Sequence, residues 1–90
     1  MIIYKYAIQF KEHQQTLMPR GAKVLSVQTQ NGKPFIWAAC EREAAQDFRH
    51  FRVLGTGREV ANDEWARLTY VGTWQDGPFV WHLFEENRHE

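Results

Sequence analysis

Apolar and polar residues alternate from the second position of the chain. Ile2, Tyr4, Tyr6, Ile8 and Phe10 share one parity, and Ile3, Lys5, Ala7 and Gln9 share the other. A period of two built from β-branched and aromatic residues predicts a strand with one well-buried face. The polar run Lys11, Glu12, His13, Gln14 and Gln15 ends it near Lys11. Thr16 to Met18 reads as a short extended piece, because Pro19 biases Met18 toward extended geometry and Gly21 supports a turn. Lys23 to Gln30 alternates next, with Leu25, Val27 and Thr29 against Val24, Ser26, Gln28 and Gln30. Asn31-Gly32 tolerates the positive φ of a type I′ hairpin turn. Phe35 to Cys40 returns, with Phe35, Trp37 and Ala39 on one face and Ile36, Ala38 and Cys40 on the other. Both faces are apolar, which places this strand centrally or against a second layer.

The second half repeats the pattern. Glu41 to Gln46 has good helix propensity but is too short for a stable helix, and reads as a turn or a single helical turn. Asp47 to Leu54 is a strand, with Phe48, His50 and Arg52 opposing Arg49, Phe51 and Val53. It runs into the loop signal Gly55-Thr56-Gly57. Arg58 to Trp65 is polar and irregular, with Asn62, Asp63 and Glu64 placed to cap a short turn before Trp65. Leu68 to Gln75 puts Leu68, Tyr70, Gly72 and Trp74 against Thr69, Val71 and Thr73. Asp76-Gly77 is a second hairpin signal of the same chemistry, and Phe79 to Phe84 returns. Glu85 to Glu90 reads as a frayed charged tail. The prediction is one all-β domain over residues 1–90: a small antiparallel barrel, roll or sandwich of six to seven strands with at most a short helical turn. Three strands carry large apolar residues on both faces, more than so small a domain covers alone, so a homo-oligomer is expected.

Composition narrows the function classes. With 43% hydrophobic residues the chain can build a core. Eleven basic and eleven acidic residues cancel, which argues against a general nucleic-acid binder. One cysteine, Cys40, excludes an intramolecular disulfide and a multi-cysteine zinc site. Apolar runs are too short to cross a bilayer, and Met1 to Phe10 lacks the basic start and apolar core of a signal peptide. A cytosolic domain without membrane contact is expected.

Candidate chemistry is sparse. His13, His50, His82 and His89 show no metal-ligand spacing, and no metal or cofactor is expected. Cys40 reads as a small hydrophobe, and Ser26 lies mid-strand without a nucleophile elbow, so no catalytic residue is assigned. An enzyme relying on a single base such as His50 or His82 stays open. The one site-like segment is His50-Phe51-Arg52-Val53-Leu54-Gly55-Thr56-Gly57-Arg58. Gly55 and Gly57 let backbone N–H groups approach an anion, Thr56 adds a hydroxyl, and Arg52 and Arg58 offer forks suited to phosphate. A tight turn with solvated arginines explains the same residues. Trp65, on the polar stretch beyond, is suited to stack on a base or to close the end of the barrel.

Several segments together resemble a family of small bacteriophage and prophage proteins without assigned function. They are Ile3-Tyr4-Lys5-Tyr6, Met18-Pro19-Arg20-Gly21-Ala22-Lys23-Val24-Leu25-Ser26-Val27-Gln28, Asn31-Gly32 leading to Trp37-Ala38, and His50-Phe51-Arg52 to Gly57. Tyr70-Val71-Gly72-Thr73-Trp74-Gln75 and Phe79-Val80-Trp81-His82-Leu83-Phe84-Glu85 complete the set. The resemblance implies a phage origin and action in the cytoplasm of the infected bacterial host. With the arginine-flanked loop, it leads to the expectation of a counter-defence protein that sequesters a nucleotide-derived immune signal without catalysis. Arg52 and Arg58 would pair with phosphates, Gly55 to Gly57 would support them, and His50 or Trp65 would contact the base. A protein-binding inhibitor of a host or defence protein, and a component of the phage particle or its assembly, are the alternatives.

Overall fold

The computed structural model describes residues 1–88. It contains strands β1 (Ile2–Ala7), β2 (His13–Pro19), β3 (Lys23–Gln30), β4 (Lys33–Cys40) and β5 (Gln46–Gly55). One helical turn, α1 (Asn62–Trp65), precedes β6 (Leu68–Asp76) and β7 (Phe79–Glu86). A three-stranded sheet has the order β1-β4-β3, and a four-stranded sheet the order β2-β5-β7-β6. Every paired neighbour is antiparallel. The domain is all-β and is not a closed barrel. No helix among the described residues is long and apolar enough to cross a membrane.

The alternation explains the layering. Ile36, Ala38 and Cys40 are fully buried on one face of β4, and with Val27 they join Phe51, Trp74 and Leu83 of the larger sheet in one cluster. Each large side chain buried this way contributes about 1.5–3 kcal/mol. Burial pushes the Tyr6 phenol up to about 12, and its hydrogen bond with Cys40 Sγ at 3.8 Å adds to the shift.

Two β-bulges correct the expected faces. In β3, Val24 pairs with Ala38 and Ser26 with Trp37, so Leu25 is an extra residue. Val24 and Val27 both pack on the core, while Leu25 is 45% exposed. In β6, Tyr70 pairs with Phe84 and Gly72 with Leu83, so Val71 is the extra residue. The single-residue offset inverts the alternation. Tyr70 therefore faces away from the core while Trp74 faces into it, although strict alternation puts them on one side.

Turns and termini also differ in detail. Asn31 and Gly32 both have positive φ, 53° and 77°, as a type I′ turn requires. The second hairpin pairs Asp76 with Phe79, so its turn residues are Gly77-Pro78, with positive φ only at Gly77. That is the type II′ pattern, in place of the expected Asp76-Gly77 pair. Residues 41–45 form a turn closed by Ala44 N–H on Glu41 O at 3.1 Å. β2 runs seven residues, longer than Thr16 to Met18. The first residue flanking α1 is Ala61, with no side-chain cap. Glu85 and Glu86 belong to β7 and are not frayed, and Asn87 N–H bonds Arg67 O at 2.8 Å. His89 and Glu90 lie outside the described residues.

At Gly72 the two sheets approach too closely for a side chain. A Cβ there would stand 2.5 Å from Val27 Cγ1. Gly72→Ala is expected to destabilise the fold by about 1–3 kcal/mol. Val27→Ala should cost less in that background than alone, and a double-mutant cycle by urea unfolding measures the difference.

Candidate functional site

The β1–β2 linker, residues 8–12, carries the chain from one sheet to the other. Ile8 N–H bonds Pro34 O at 3.2 Å, and Lys11 N–H bonds Gln9 O at 2.9 Å in a tight turn. Gln14, only 7% exposed, pins this segment. Its Oε1 accepts from Gln9 N–H at 2.9 Å, and its Nε2 donates to Gln9 O at 3.0 Å and Lys11 O at 2.8 Å. The amide thus satisfies the polar backbone of a turn that crosses the layers.

Glu12 anchors the end of the linker to Arg52. The Arg52 side chain is 1% exposed and sits on the side of β5 opposite Phe51, under α1. Its Nη2 donates to Glu12 Oε2 at 2.8 Å and its Nη1 to Glu64 Oε2 at 3.3 Å, with Glu86 Oε2 4.0 Å from Nη1. Nε finds no partner among the described residues. Arg58 Nε donates to Glu12 Oε1 at 3.1 Å, so two guanidinium groups share one carboxylate. Burial alone would raise the Glu12 carboxyl, but hydrogen bonds from Arg52 and Arg58 outweigh it and hold the group below its ordinary range. A separate pair ties β5 to β7: Arg49 grips Glu85 with both Nε and Nη2, and Nη1 reaches Ala22 O at 2.7 Å. The hydrogen bond to Glu85, more than the opposing burial, raises the Arg49 pKa.

The ties at Gln14 and Glu12 frame a cleft at one end of the sheets, where the linker meets the starts of β4 and β7 and the ends of β5 and β6. Its volume is about 530 Å³. Ile8, Val53, Trp74 and Trp81 form apolar walls, and Phe10, Lys11, Lys33, Phe35, Thr56 and Arg58 stand around them. Phe10 is 90% exposed and meets Trp81 edge-on, with ring centroids 5.9 Å apart. Gly55 lets Trp81 lie across β5, since a Cβ there would be 3.0 Å from Trp81 Cζ3. Glu12 and Asp76 also border the cleft. Glu12 is taken up by the two arginines, whereas Lys11 and Lys33 make no ion pair among the described residues.

A shallower cleft of about 450 Å³ lies on the outer side of the larger sheet, between the Gly55-Thr56-Gly57 loop and α1. His82 is fixed there. Its Nε2 shares a hydrogen bond with Thr56 Oγ1 at 2.8 Å and its Nδ1 one with Thr73 Oγ1 at 2.9 Å. Tyr70 and Thr73 hydroxyls close the chain at 2.5 Å. Trp65 covers this side by packing edge-on against Phe84 at 5.3 Å.

The loop predicted as a phosphate cradle therefore separates two clefts. Gly55, Thr56 and Arg58 border both, while Gly57 and Trp65 border only the outer one. Arg52 and His50 border neither. Arg52 is committed to carboxylates, because a guanidinium this deep needs compensating charge. Sequence reasoning missed Phe10, Lys11, Lys33, Trp74 and Trp81 as cleft residues, and Glu12, Glu64 and Glu86 as partners of Arg52. The only signal for the first group was Phe10, an aromatic residue entering a polar turn. Among the described residues no three of His, Cys, Asp and Glu gather as a metal site needs.

Fold and site define a two-sheet antiparallel β domain with an aromatic cleft at one end. Residues 1–90 match the family described as a domain of unknown function, DUF7352, and the chain belongs to that family. No curated protein and no solved structure matches it.

Two outcomes follow from the Arg52 cluster. Arg52→Ala leaves Glu12, Glu64 and Glu86 uncompensated and should cost about 3–5 kcal/mol, with Arg52→Met costing less, as urea unfolding will read. Glu12 has a depressed folded pKa, so its contribution is complete above its unfolded pKa and fades as pH falls through the folded one. The unfolding midpoint should drop on acidification below the ordinary carboxylate range, and Glu12→Gln should flatten that limb.

Proposed function

We propose that this protein is a non-catalytic binder of a small, planar, anionic molecule of nucleotide type, held in the end cleft. One observation carries the reading: an apolar cavity of about 530 Å³ with aromatic walls and, at its edge, lysines that make no ion pair among the described residues. Ligand pockets of drug-sized molecules span about 300–1,000 Å³, are mostly apolar and use few polar groups. Trp81 and Phe10 present ring surface to a base or similar ring. Lys11 and Lys33 offer ammonium groups to a phosphate, and Thr56 a hydroxyl. Arg58 lends less, since Glu12 and Glu59 O already engage it. Relative to the sequence expectation, the binding groups move from Arg52, His50 and Trp65 to the linker and the β7 edge of the cleft. Gly55, Thr56 and Arg58 stay in the proposal.

The biological role within this reading is sequestration of a nucleotide-derived immune signal. Its setting, counter-defence inside an infected bacterium, comes from the resemblance to phage and prophage proteins.

Thermal unfolding against cyclic oligonucleotides, ADP-ribose derivatives and plain nucleotides tests the proposal. A ligand at a hundredfold excess over its Kd stabilises by about 2.7 kcal/mol. The expected result is a rise in Tm with at least one compound, recovered unchanged by mass analysis. Phe10→Ala and Lys33→Glu should abolish the rise while leaving the unliganded Tm nearly unchanged, since both side chains are exposed. No rise with any compound, or a rise indifferent to both substitutions, would remove the cleft as the binding site.

A further inference from the structure

Zero net charge conceals an uneven distribution. β1, β3 and β4 carry Lys5, Lys23 and Lys33 and no aspartate or glutamate. All three lysines fall on the face of the smaller sheet turned away from the core. Lys5 pairs with Trp37, Lys23 with Ala39, and Lys33 shares the parity of Phe35 and Trp37. That face is built around two aromatic residues on its central strand, Phe35 and Trp37, half-buried with ring centroids 6.4 Å apart. Lys5 Nζ lies 4.8 Å from the Phe35 ring centroid and 5.9 Å from that of Trp37. Across the ladder, Ser26 and Gln28 pair with Trp37 and Phe35 and add hydrogen-bonding groups beside the rings. No strand or helix among the described residues covers this face: α1 lies on the larger sheet, next to Arg52 and Phe84.

We propose that this outer face of the smaller sheet is a platform for single-stranded nucleic acid. The chemistry matches on three counts. Aromatic rings on a central strand stack bases without regard to sequence. Lysines at both flanking strands meet the phosphates, with no carboxylate on the strands to oppose them. Amide and hydroxyl groups between them suit base edges and sugar. A purely apolar partner would desolvate three ammonium groups with no carboxylate on these strands to balance them, which is costly even though Lys5 donates to Gln30 Oε1. Zero net charge argues against general nucleic-acid binding by the whole surface, whereas binding at this face would depend on the local field. The proposal is independent of the end cleft, although Lys33 and Phe35 border both surfaces.

Fluorescence anisotropy of the full chain with labelled oligothymidylate and oligouridylate tests it. Three lysine–phosphate contacts on a single strand predict a log–log salt slope of about −2, or roughly twentyfold weaker binding between about 50 and about 200 mM salt. Lys5→Glu and Lys23→Glu, both exposed, should each weaken binding. Trp37→Leu keeps apolar bulk but removes a stacking surface, and should weaken it about tenfold. If Trp37→Leu unfolds, judged by circular dichroism, the two lysine variants carry the test. Tighter binding of one strand type identifies RNA or DNA as the source. No anisotropy change with either strand at the lower salt overturns the proposal. So does binding that inorganic polyphosphate displaces equally well and that Trp37→Leu, folded, leaves unchanged. Self-association in sedimentation that is lost in the lysine variants, without oligonucleotide binding, assigns the face to a second copy and also overturns it.

Discussion

A guanidinium with 1% of its side chain exposed constrains the larger sheet and everything packed on it. Arg52 stands where strand alternation points away from the core, and an uncompensated charge there would cost several kcal/mol. Three segments distant in sequence supply the compensation. Glu12 comes from the linker between the sheets, Glu64 from α1, and Glu86 from the end of β7. The ion cluster fixes how the long β5–β6 connection folds over the sheet and where the first linker ends. Its energetic weight lies less in net stabilisation than in the penalty for any arrangement that leaves Arg52 alone.

The end cleft depends on that constraint. Glu12 is held by Arg52 and Arg58, and the backbone just before it is held by Gln14. Phe10 and Lys11 lie within the span so fixed. The position of Phe10 against Trp81 is set by hydrogen bonds on either side and not by its own burial, which is why an aromatic ring can stay 90% exposed beside the cleft. Charge is partitioned by the same topology. Glu12, Asp47, Glu64, Glu85 and Glu86 lie on the larger sheet and its connections, where they pair with arginines, and the only charged residues on the strands of the smaller sheet are lysines.

Strand identity was legible because period-two alternation is a local signal, and so was the buried face of β4. Leu25 and Val71 show where that legibility ends. Each is an inserted residue that inverts the alternation, and only the partner strand reveals the insertion. Arg52 shows a second boundary. Its proximity to a Gly-Thr-Gly loop reads as phosphate chemistry, whereas its partners lie at positions 12, 64 and 86, beyond any local motif. The cleft was hidden for the same reason, since it forms where two stacked sheets and a crossing linker meet. Thr56 and Arg58, read from their loop as phosphate contacts, border the cleft because that loop lies at the meeting point.

The four tryptophans happen to report on separate surfaces: Trp74 and Trp81 in the end cleft, Trp65 on the outer side of the larger sheet and Trp37 on the smaller sheet. Under the proposed function, the end cleft takes a planar anionic ligand. A ¹H–¹⁵N NMR titration with mononucleotides and cyclic oligonucleotides tests it most directly, through the indole N–H signals and the amides of Lys11, Lys33 and Thr56. A ligand seated in the cleft is expected to shift Trp81, Trp74 and those amides, with Trp65 unmoved. Shifts confined to Trp65 or Trp37, or none with any compound, would contradict it.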